Sequence, residues 1–181
     1  MSDFGLRARL IAVDVLKSLF FNRQHLKSSL ERSLYVSNLN KRDRAFVRNL
    51  TTTTVRRLGQ IDDLILFCLK KPFKEKNSLR QIILRVGVCQ LLFLKTSDHA
   101  AIFTTVALAE KLHCSAYKKL INAILRRLQR EGRTLIGRQN SARLNTPYWL
   151  WESWVGAYGV EITKKIAVAN MTEAPLDISY K

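Results

Sequence analysis

Apolar residues recur every three or four positions along the first 130 residues of the chain. The first run consists of Leu6, Leu10, Val13, Leu16 and Phe20, a spacing that places all five on one face of an α-helix. The same spacing, interrupted by polar stretches, predicts further helices over residues 26–34, 41–58, 61–71, 79–94, 99–112 and 118–130. Strand-like alternation is missing before residue 140. The pattern therefore predicts an all-α chain.

Polar residues at the start of several apolar runs are candidates to cap the predicted helices. Ser78, Asp98 and Ser115 precede three of the runs, and Asp43 lies at the start of another. Short side chains with an oxygen atom cap helices because they accept hydrogen bonds from the free N–H groups of the first turn. We therefore expect these four residues to mark helix N-termini.

Two features inside the predicted helices need support from tertiary packing. Residues 51–54 are four consecutive threonines, whose β-branched side chains make this stretch poor helix material. Gly87 lowers helix propensity by roughly 1 kcal/mol. Close approach of a neighbouring helix would account for this glycine.

The composition changes after residue 130. Residues 131–146 are rich in glycine and polar residues and are predicted to be a linker. Pro147 suits the first turn of a new helix over residues 147–158, and a further helix is predicted over residues 159–170. Residues 173–181 look extended. This tail is too short to close a core, so we divide the chain into a helical domain, 1–140, and the linker and incomplete start of a second small domain, 141–181.

Positive charge is concentrated in the first of these two parts. The net charge is +17, and residues 1–140 carry 27 Lys and Arg against 10 Asp and Glu, whereas residues 141–181 carry four of each. A charge of this size favours polyanions as partners. Nucleic acid is the first expectation, and an anionic membrane surface is the second.

The helix predicted at residues 118–130 shows where such a partner would bind. Lys119, Arg126 and Arg130 share a narrow strip opposite an apolar face formed by Leu120, Ile121, Ile124, Leu125 and Leu128, with Arg127 between the two faces. No acid joins the strip before Glu131, whereas a solvated helix usually mixes the two signs. The strip is either an RNA-binding face or the ordinary surface of a basic protein.

Two further basic clusters strengthen the case for RNA. One consists of Lys41, Arg42, Arg44 and Arg48. The other is Arg7 and Arg9 near the start of the first helix, where cations oppose the helix macrodipole and a bound phosphate backbone would compensate. Contacts of this kind give affinity and salt dependence rather than sequence recognition.

The residues alone indicate no active site and no metal site. His25, His99 and His113 are scattered, and the glycines form no nucleotide-binding loop. Asp62 and Asp63 are neighbours along the chain, so we interpret them as residues of a helix N-terminus. The three cysteines lie in apolar runs, which indicates buried thiols, and their odd number favours a reducing cytoplasm. The longest apolar run, residues 86–94, is too short to span a bilayer.

Five stretches resemble, in order and spacing, a NusB-like helical domain: RARLIAVDVL, RDRAFVRNL, ILRVGVCQLLFL, DHAAIFTTVALAEK and LINAILRRL. They are most similar to the version at the N-terminus of the RsmB/Sun family of bacterial 16S rRNA cytosine-5 methyltransferases. The tail, TPYWLWESWVGAYG and APLDISYK, is similar to the segment that follows in that family.

The resemblance implies about seven helices in two small bundles that bind 16S rRNA in the cytoplasm. It also implies that catalysis lies elsewhere, because the family's glycine-rich S-adenosylmethionine loop and catalytic cysteines have no counterpart here. Arg7 and Arg9 match a region in which free NusB contacts RNA. Two alternatives remain open: a stand-alone NusB-like antitermination factor acting with a ribosomal protein, and a protein-interaction module whose basic surface only keeps it soluble.

Overall fold

The computed structural model describes residues 3–69, 71–73 and 78–172, and within these ranges the regular elements are all helical. The predicted all-α class is confirmed. The residues predicted to be extended, 173–181, lie outside the described ranges, as does most of the polar break before residue 78. The helices are α1 (Asp3–Asn22), α2 (Leu26–Val36), α3 (Lys41–Arg56), α4 (Leu58–Cys68), α5 (Leu79–Leu92), α6 (Asp98–Lys111), α7 (Lys118–Arg138), α8 (Ser141–Leu144) and α9 (Tyr148–Asn170), with a short 3-10 turn, Ser115–Tyr117, before α7.

Helix α5 is the centre of the fold. Helices α1, α2 and α3 pack together, α4, α6 and α7 surround α5 on its other side, and α5 contacts both groups. Every residue of α5 from 82 to 91 is buried. The two predicted small bundles therefore share one core, whose largest wholly buried side chains include Leu16, Leu50, Ile83 and Leu125.

Tertiary packing supports both weak points of the predicted helices. A Cβ atom at Gly87 would lie 2.7 Å from the Thr105 side chain, so the expected close approach of a neighbouring helix is confirmed. The hydroxyls of Thr51 and Thr54 donate to the carbonyls of Val47 and Leu50, at 2.8 and 2.7 Å. Both threonines are buried and bond inside their own helix, which explains why α3 continues through this stretch.

Several predicted caps are wrong. Asn40, not Asp43, caps α3: its Oδ1 accepts from the Asp43 N–H, and the Asp43 carboxylate accepts from the Asn40 amide. Ser78 precedes α5 as predicted, but its hydroxyl is buried and makes no hydrogen bond to a described residue. Asp98 lies inside the first turn of α6, and Ser115 belongs to the 3-10 turn, so neither caps a helix. Composition located these helix starts approximately, but it did not identify which side chains accept hydrogen bonds from the N–H groups of the first turn.

The predicted linker is wrong over its first half, because α7 continues to Arg138. Leu135 and Ile136 extend the apolar face of this helix and pack against the core. Gly132 is buried, and a Cβ atom there would lie 2.8 Å from the Leu92 side chain. The polar composition of residues 131–138 reflects the exposed side of a helix rather than a break in it.

Residues 141–172 fold back on themselves and rest on α4. Gly159 has φ 75° and ψ 166°, a conformation that favours glycine, and it divides α9 into the two predicted helical halves. As a result, Met171 returns to Asn145, whose amide donates to the Met171 sulfur at 3.0 Å. Ala142, Trp151 and Ala167 form a small apolar cluster inside this unit. We call residues 141–172 the tail hairpin.

A polar contact joins the tail hairpin to the larger bundle. The Asn145 Oδ1 accepts from the Gln60 N–H at 3.0 Å, which satisfies a donor in the first turn of α4. The Gln60 side chain bonds to both Asn145 and Gln139, at 2.9 and 3.1 Å. Gly59 permits this approach, because a Cβ atom there would lie 1.8 Å from the Leu144 carbonyl oxygen.

Of the three cysteines predicted to be buried, Cys89 is buried, whereas Cys68 and Cys114 are partly exposed. Burial raises the pKa of Cys89 to about 12, and burial also raises the pKa of Cys68.

Since the thiolate is the reactive form, we expect Cys89 to resist thiol reagents at pH 8 in the folded protein and to react after unfolding. Alkylation followed by peptide mass spectrometry measures this. Labelling of native Cys89 as fast as of Cys114 would contradict it.

Candidate nucleic-acid interface

Arg9, predicted from the sequence as an RNA contact, is almost wholly inside the protein. It is only 8% exposed. Its Nε donates to Gln90 Oε1 at 2.6 Å, its Nη1 donates to the Gly5 carbonyl at 2.7 Å, and its guanidinium lies 4.8 Å from the centre of the Phe46 ring. Burial lowers the pKa of Arg9, and the charge of Asp43 opposes this effect. Its direct hydrogen-bond partners are therefore neutral.

Three adjacent depressions run along α3 and the turn after α5, with volumes of about 610, 580 and 410 Å³. Neighbouring depressions share lining residues, so they form one concave surface. Phe46 lines the first two, Lys95 lines the first and third, and Asn49 and Arg56 line the last two. We call this surface the basic groove. Its cationic residues are Arg9, Arg42, Arg48, Arg56, Arg57 and Lys95.

The structure divides the predicted cluster at 41–48. Arg42 and Arg48 are exposed and line the groove. Lys41 is exposed and Arg44 is partly buried, and neither lines a depression described here. Arg7, also exposed, lies two residues from Arg9 on α1 outside the lining. The only carboxylate among the described lining residues of the groove is Asp43.

Sequence reasoning missed three of the six groove cations. Arg56 and Arg57 end α3 and begin the turn to α4, and Lys95 lies in the turn after α5. The adjacent arginines without a nearby acid were a usable signal, because like charges side by side need a compensating partner. Lys95 carried no such signal, since only the packing of α5 against α3 brings it to the groove.

The α7 strip is separate from the basic groove. Lys119, Arg126 and Arg130 are exposed as predicted, and none of them lines any of the three depressions. Arg126 donates to Gln129 and Arg130 donates to the Arg126 carbonyl, at 3.1 and 3.2 Å. The strip is therefore an exposed face of helix α7, outside the basic groove, and two of its three side chains make hydrogen bonds within the helix.

Two residues of the predicted α7 pattern behave differently from the rest. Arg127 is partly buried, pairs with Glu131 at 3.1 Å and lies 4.6 Å from the centre of the Phe67 ring. Leu120, assigned to the apolar face, is 37% exposed, because α7 contacts the core mainly through Ile121 and the residues that follow. Of the four cations, Arg127 therefore makes the most extensive contacts within the protein.

Asp62 and Asp63 do not lie at a helix N-terminus, as the sequence suggested, but in the middle of α4. The Arg85 Nε and Nη2 donate to the two Asp62 oxygens, both at 2.7 Å, and the Arg85 guanidinium lies 4.7 Å from the centre of the Phe20 ring. Asp63 accepts from the Gln139 amide at 2.8 Å. Both acids are structural partners.

Neither a cluster of metal-ligating side chains nor a long apolar helix occurs among the described residues. No group of three or more His, Cys, Asp or Glu among them is placed to hold a metal ion. In the same residues, no helix combines the length and apolar character needed to cross a bilayer.

Comparisons with known proteins match this architecture. The profile of the NusB family matches residues 6–130. The ribosomal RNA small subunit methyltransferase B of Pseudomonas putida is 34% identical over 174 residues, which cover 94% of this chain and 39% of the relative. The chain thus spans about two fifths of the length of that relative.

Two solved structures show the same fold at low sequence identity. A complex of the antitermination factors NusB and NusE with double-stranded RNA matches with a TM-score of 0.63 and 23% identity, over 72% of this chain and 98% of that chain. The solution structure of NusB from Aquifex aeolicus matches with a TM-score of 0.62 and 22% identity, over 81% and 97%.

Proposed function

This chain belongs to the NusB family, and we propose on that basis that it is the RNA-binding part of an rRNA cytosine-5 methyltransferase. It would hold small-subunit rRNA by its phosphates in the basic groove. Methyl transfer from S-adenosylmethionine would take place in the part of the relatives' length that this chain does not match. The setting of this activity would be the cytoplasm.

The basic groove is the observation that carries the proposal. Four of its cations, Arg42, Arg48, Arg56 and Lys95, make no side-chain hydrogen bond or ion pair with a described residue. Arg9, which is buried, and Arg57, which is partly buried, also line the groove, and their hydrogen-bond partners are neutral. A concave surface with cations and few acids favours binding of a phosphate backbone, because several charges can reach the same strand.

The relatives support RNA as the polyanion. A solved complex contains NusB and NusE with double-stranded RNA, and the Pseudomonas protein is named as an rRNA methyltransferase. The similarity to that methyltransferase extends beyond the family match into the tail hairpin, which favours the methyltransferase over a stand-alone antitermination factor. We propose the domain boundary near residue 140, with residues 1–140 forming the RNA-binding domain.

A salt titration of RNA binding tests both candidate surfaces. The groove variant R42Q/R48Q/R56Q is compared with the strip variant K119Q/R126Q/R130Q, on a small-subunit rRNA fragment and a scrambled RNA, from 50 to 200 mM salt. We expect the groove variant to lose ~10- to 100-fold in affinity, with a slope of log K against log salt shallower by about 2 to 3. The strip variant, which has the same net charge, should lose much less.

The two variants are matched controls for each other, because each removes three positive charges. Equal losses for both would mean that only total charge matters. A larger loss for the strip variant would move the interface to α7. Absence of RNA binding by the wild-type protein would leave the protein-interaction alternative.

A further inference from the structure

We propose that the depression at the C-terminal end of α3 binds one unpaired nucleotide of the RNA. This inference rests on the proposed function and specifies what one part of the groove recognises. The depression has a volume of about 410 Å³, within the range of small-ligand sites. Its lining combines positive charge with an aromatic ring, a thioether and an amide: Asn49, Thr53, Arg56, Arg57, Phe93, Leu94, Lys95 and Met171.

The cations of this depression have no acidic partner among the described residues that line it. Arg56 and Lys95 make no side-chain hydrogen bond or ion pair with a described residue. Arg57 donates to Gln60 Oε1 at 3.1 Å and contacts the Met171 sulfur at 3.6 Å, and both of these partners are neutral. Burial, and then the charge of Arg56, lower the pKa of Arg57. No carboxylate is among the described residues that line the depression, so a phosphate is the group that would relieve this crowding of cations.

The remaining lining suits a base. Phe93 is partly exposed, and the Arg57 guanidinium lies 5.8 Å from the centre of its ring. Aromatic rings and arginine planes are the surfaces on which unpaired bases stack. The Asn49 Oδ1 accepts from the Thr53 hydroxyl at 3.1 Å, which leaves the Asn49 NH₂ group to donate to a base edge. A base inside a duplex has both faces covered, so only an unpaired nucleotide reaches Phe93.

The tail hairpin completes this site. Met171 closes one side of the depression, and Asn145 holds its sulfur at 3.0 Å while also bonding to Gln60. The nucleotide site is therefore composite: α3 and the turn after α5 supply the charges and the ring, and the hairpin supplies the thioether. The rest of the groove, around Arg9 and Arg48, contains no residue of the hairpin.

The test compares two RNA hairpins that share a stem and a compact tetraloop whose bases are stacked within the loop. One has a blunt end, and the other carries at that end a single-stranded extension that contains 2-aminopurine. Wild-type protein should bind the extended hairpin more tightly and quench the 2-aminopurine fluorescence. R56Q/K95Q should lose about tenfold in affinity for the extended hairpin relative to the blunt one. Phe93→Leu, which keeps an apolar side chain and removes the aromatic ring, should reduce the quenching. K27Q/R32Q, which removes one Lys and one Arg from exposed positions of α2, should leave the ratio of affinities unchanged.

Each outcome separates this inference from the proposed function. If wild-type protein binds both hairpins equally, or if R56Q/K95Q weakens both equally, the depression holds only backbone phosphates and the nucleotide site is wrong. Binding of neither hairpin overturns the proposed function and this inference together. Should Phe93→Leu prove poorly folded by circular dichroism, the ratio measured with R56Q/K95Q decides alone.

Discussion

Replacing Asp62 with alanine is expected to lower the free energy of unfolding by about 2–3 kcal/mol. The Arg85 side chain is 4% exposed and bonds to both Asp62 oxygens at 2.7 Å. Removal of the carboxylate takes two short hydrogen bonds and a negative charge away from a buried guanidinium in the helix at the centre of the fold. The expected loss lies below that of a wholly buried pair because the Asp62 side chain is 34% exposed. Urea denaturation followed by circular dichroism measures it.

Asp63→Ala is the control for this substitution. It removes the same group from the next position of α4, where the carboxylate is exposed and accepts one hydrogen bond from Gln139. We expect a loss of less than ~1 kcal/mol. Equal losses for the two variants would show that the ion pair of Asp62 with Arg85 stabilises the protein no more than the single hydrogen bond of Asp63 does.

Gly59→Ala is expected to separate the tail hairpin from the larger bundle. A Cβ atom at this position would lie 1.8 Å from the Leu144 carbonyl oxygen and 2.4 Å from its carbon, and neither backbone atom can yield without moving α8. The contacts that cross between the two parts, Asn145 with Gln60 and Met171 with Arg57, should be lost together, at a cost of about 2 kcal/mol or more. Hydrogen exchange at the Gln60 amide, which donates to Asn145, should become fast.

Gly137→Ala provides the matched change in a helix with space around it. No atom lies within 4 Å of a Cβ atom at Gly137, so this variant should gain about 0.5–1 kcal/mol from helix propensity. The two substitutions are thus expected to have opposite signs. Unchanged protection of the Gln60 amide in Gly59→Ala would mean that the hairpin does not depend on this close approach.

Apolar spacing predicted the helices well because helix formation depends on neighbours three and four positions away. The same pattern predicted that Gly87 lies against another helix, because a glycine inside a helix lowers helix propensity and close packing would account for it. It failed at helix starts: Asn40 caps α3 in place of Asp43, and both residues fit the same compositional rule. It also failed at residues 131–138, where a polar helical face looked like a linker.

The candidate interface was predicted only in part, because a groove is a property of tertiary packing. Arg42 and Arg48 were found from charge alone. Arg9 was predicted as a surface cation, yet it is buried and donates a hydrogen bond to Gln90, a residue 81 positions away. Lys95 could not be associated with Arg56 from the sequence, because only the contact of α5 with α3 brings the two together.

The buried side chain of Gln90 is expected to affect the affinity of the basic groove for its proposed ligand. It is fully buried, its Oε1 accepts from Arg9, and its Nε2 donates to the Val86 carbonyl at 3.2 Å. A leucine at this position would remove the acceptor of the Arg9 Nε hydrogen bond. The long Arg9 side chain is then expected to extend towards water and the groove. A substitution that RNA never touches would thereby retune affinity. The proposed RNA affinity is therefore expected to depend on one buried amide as well as on the cations of the groove.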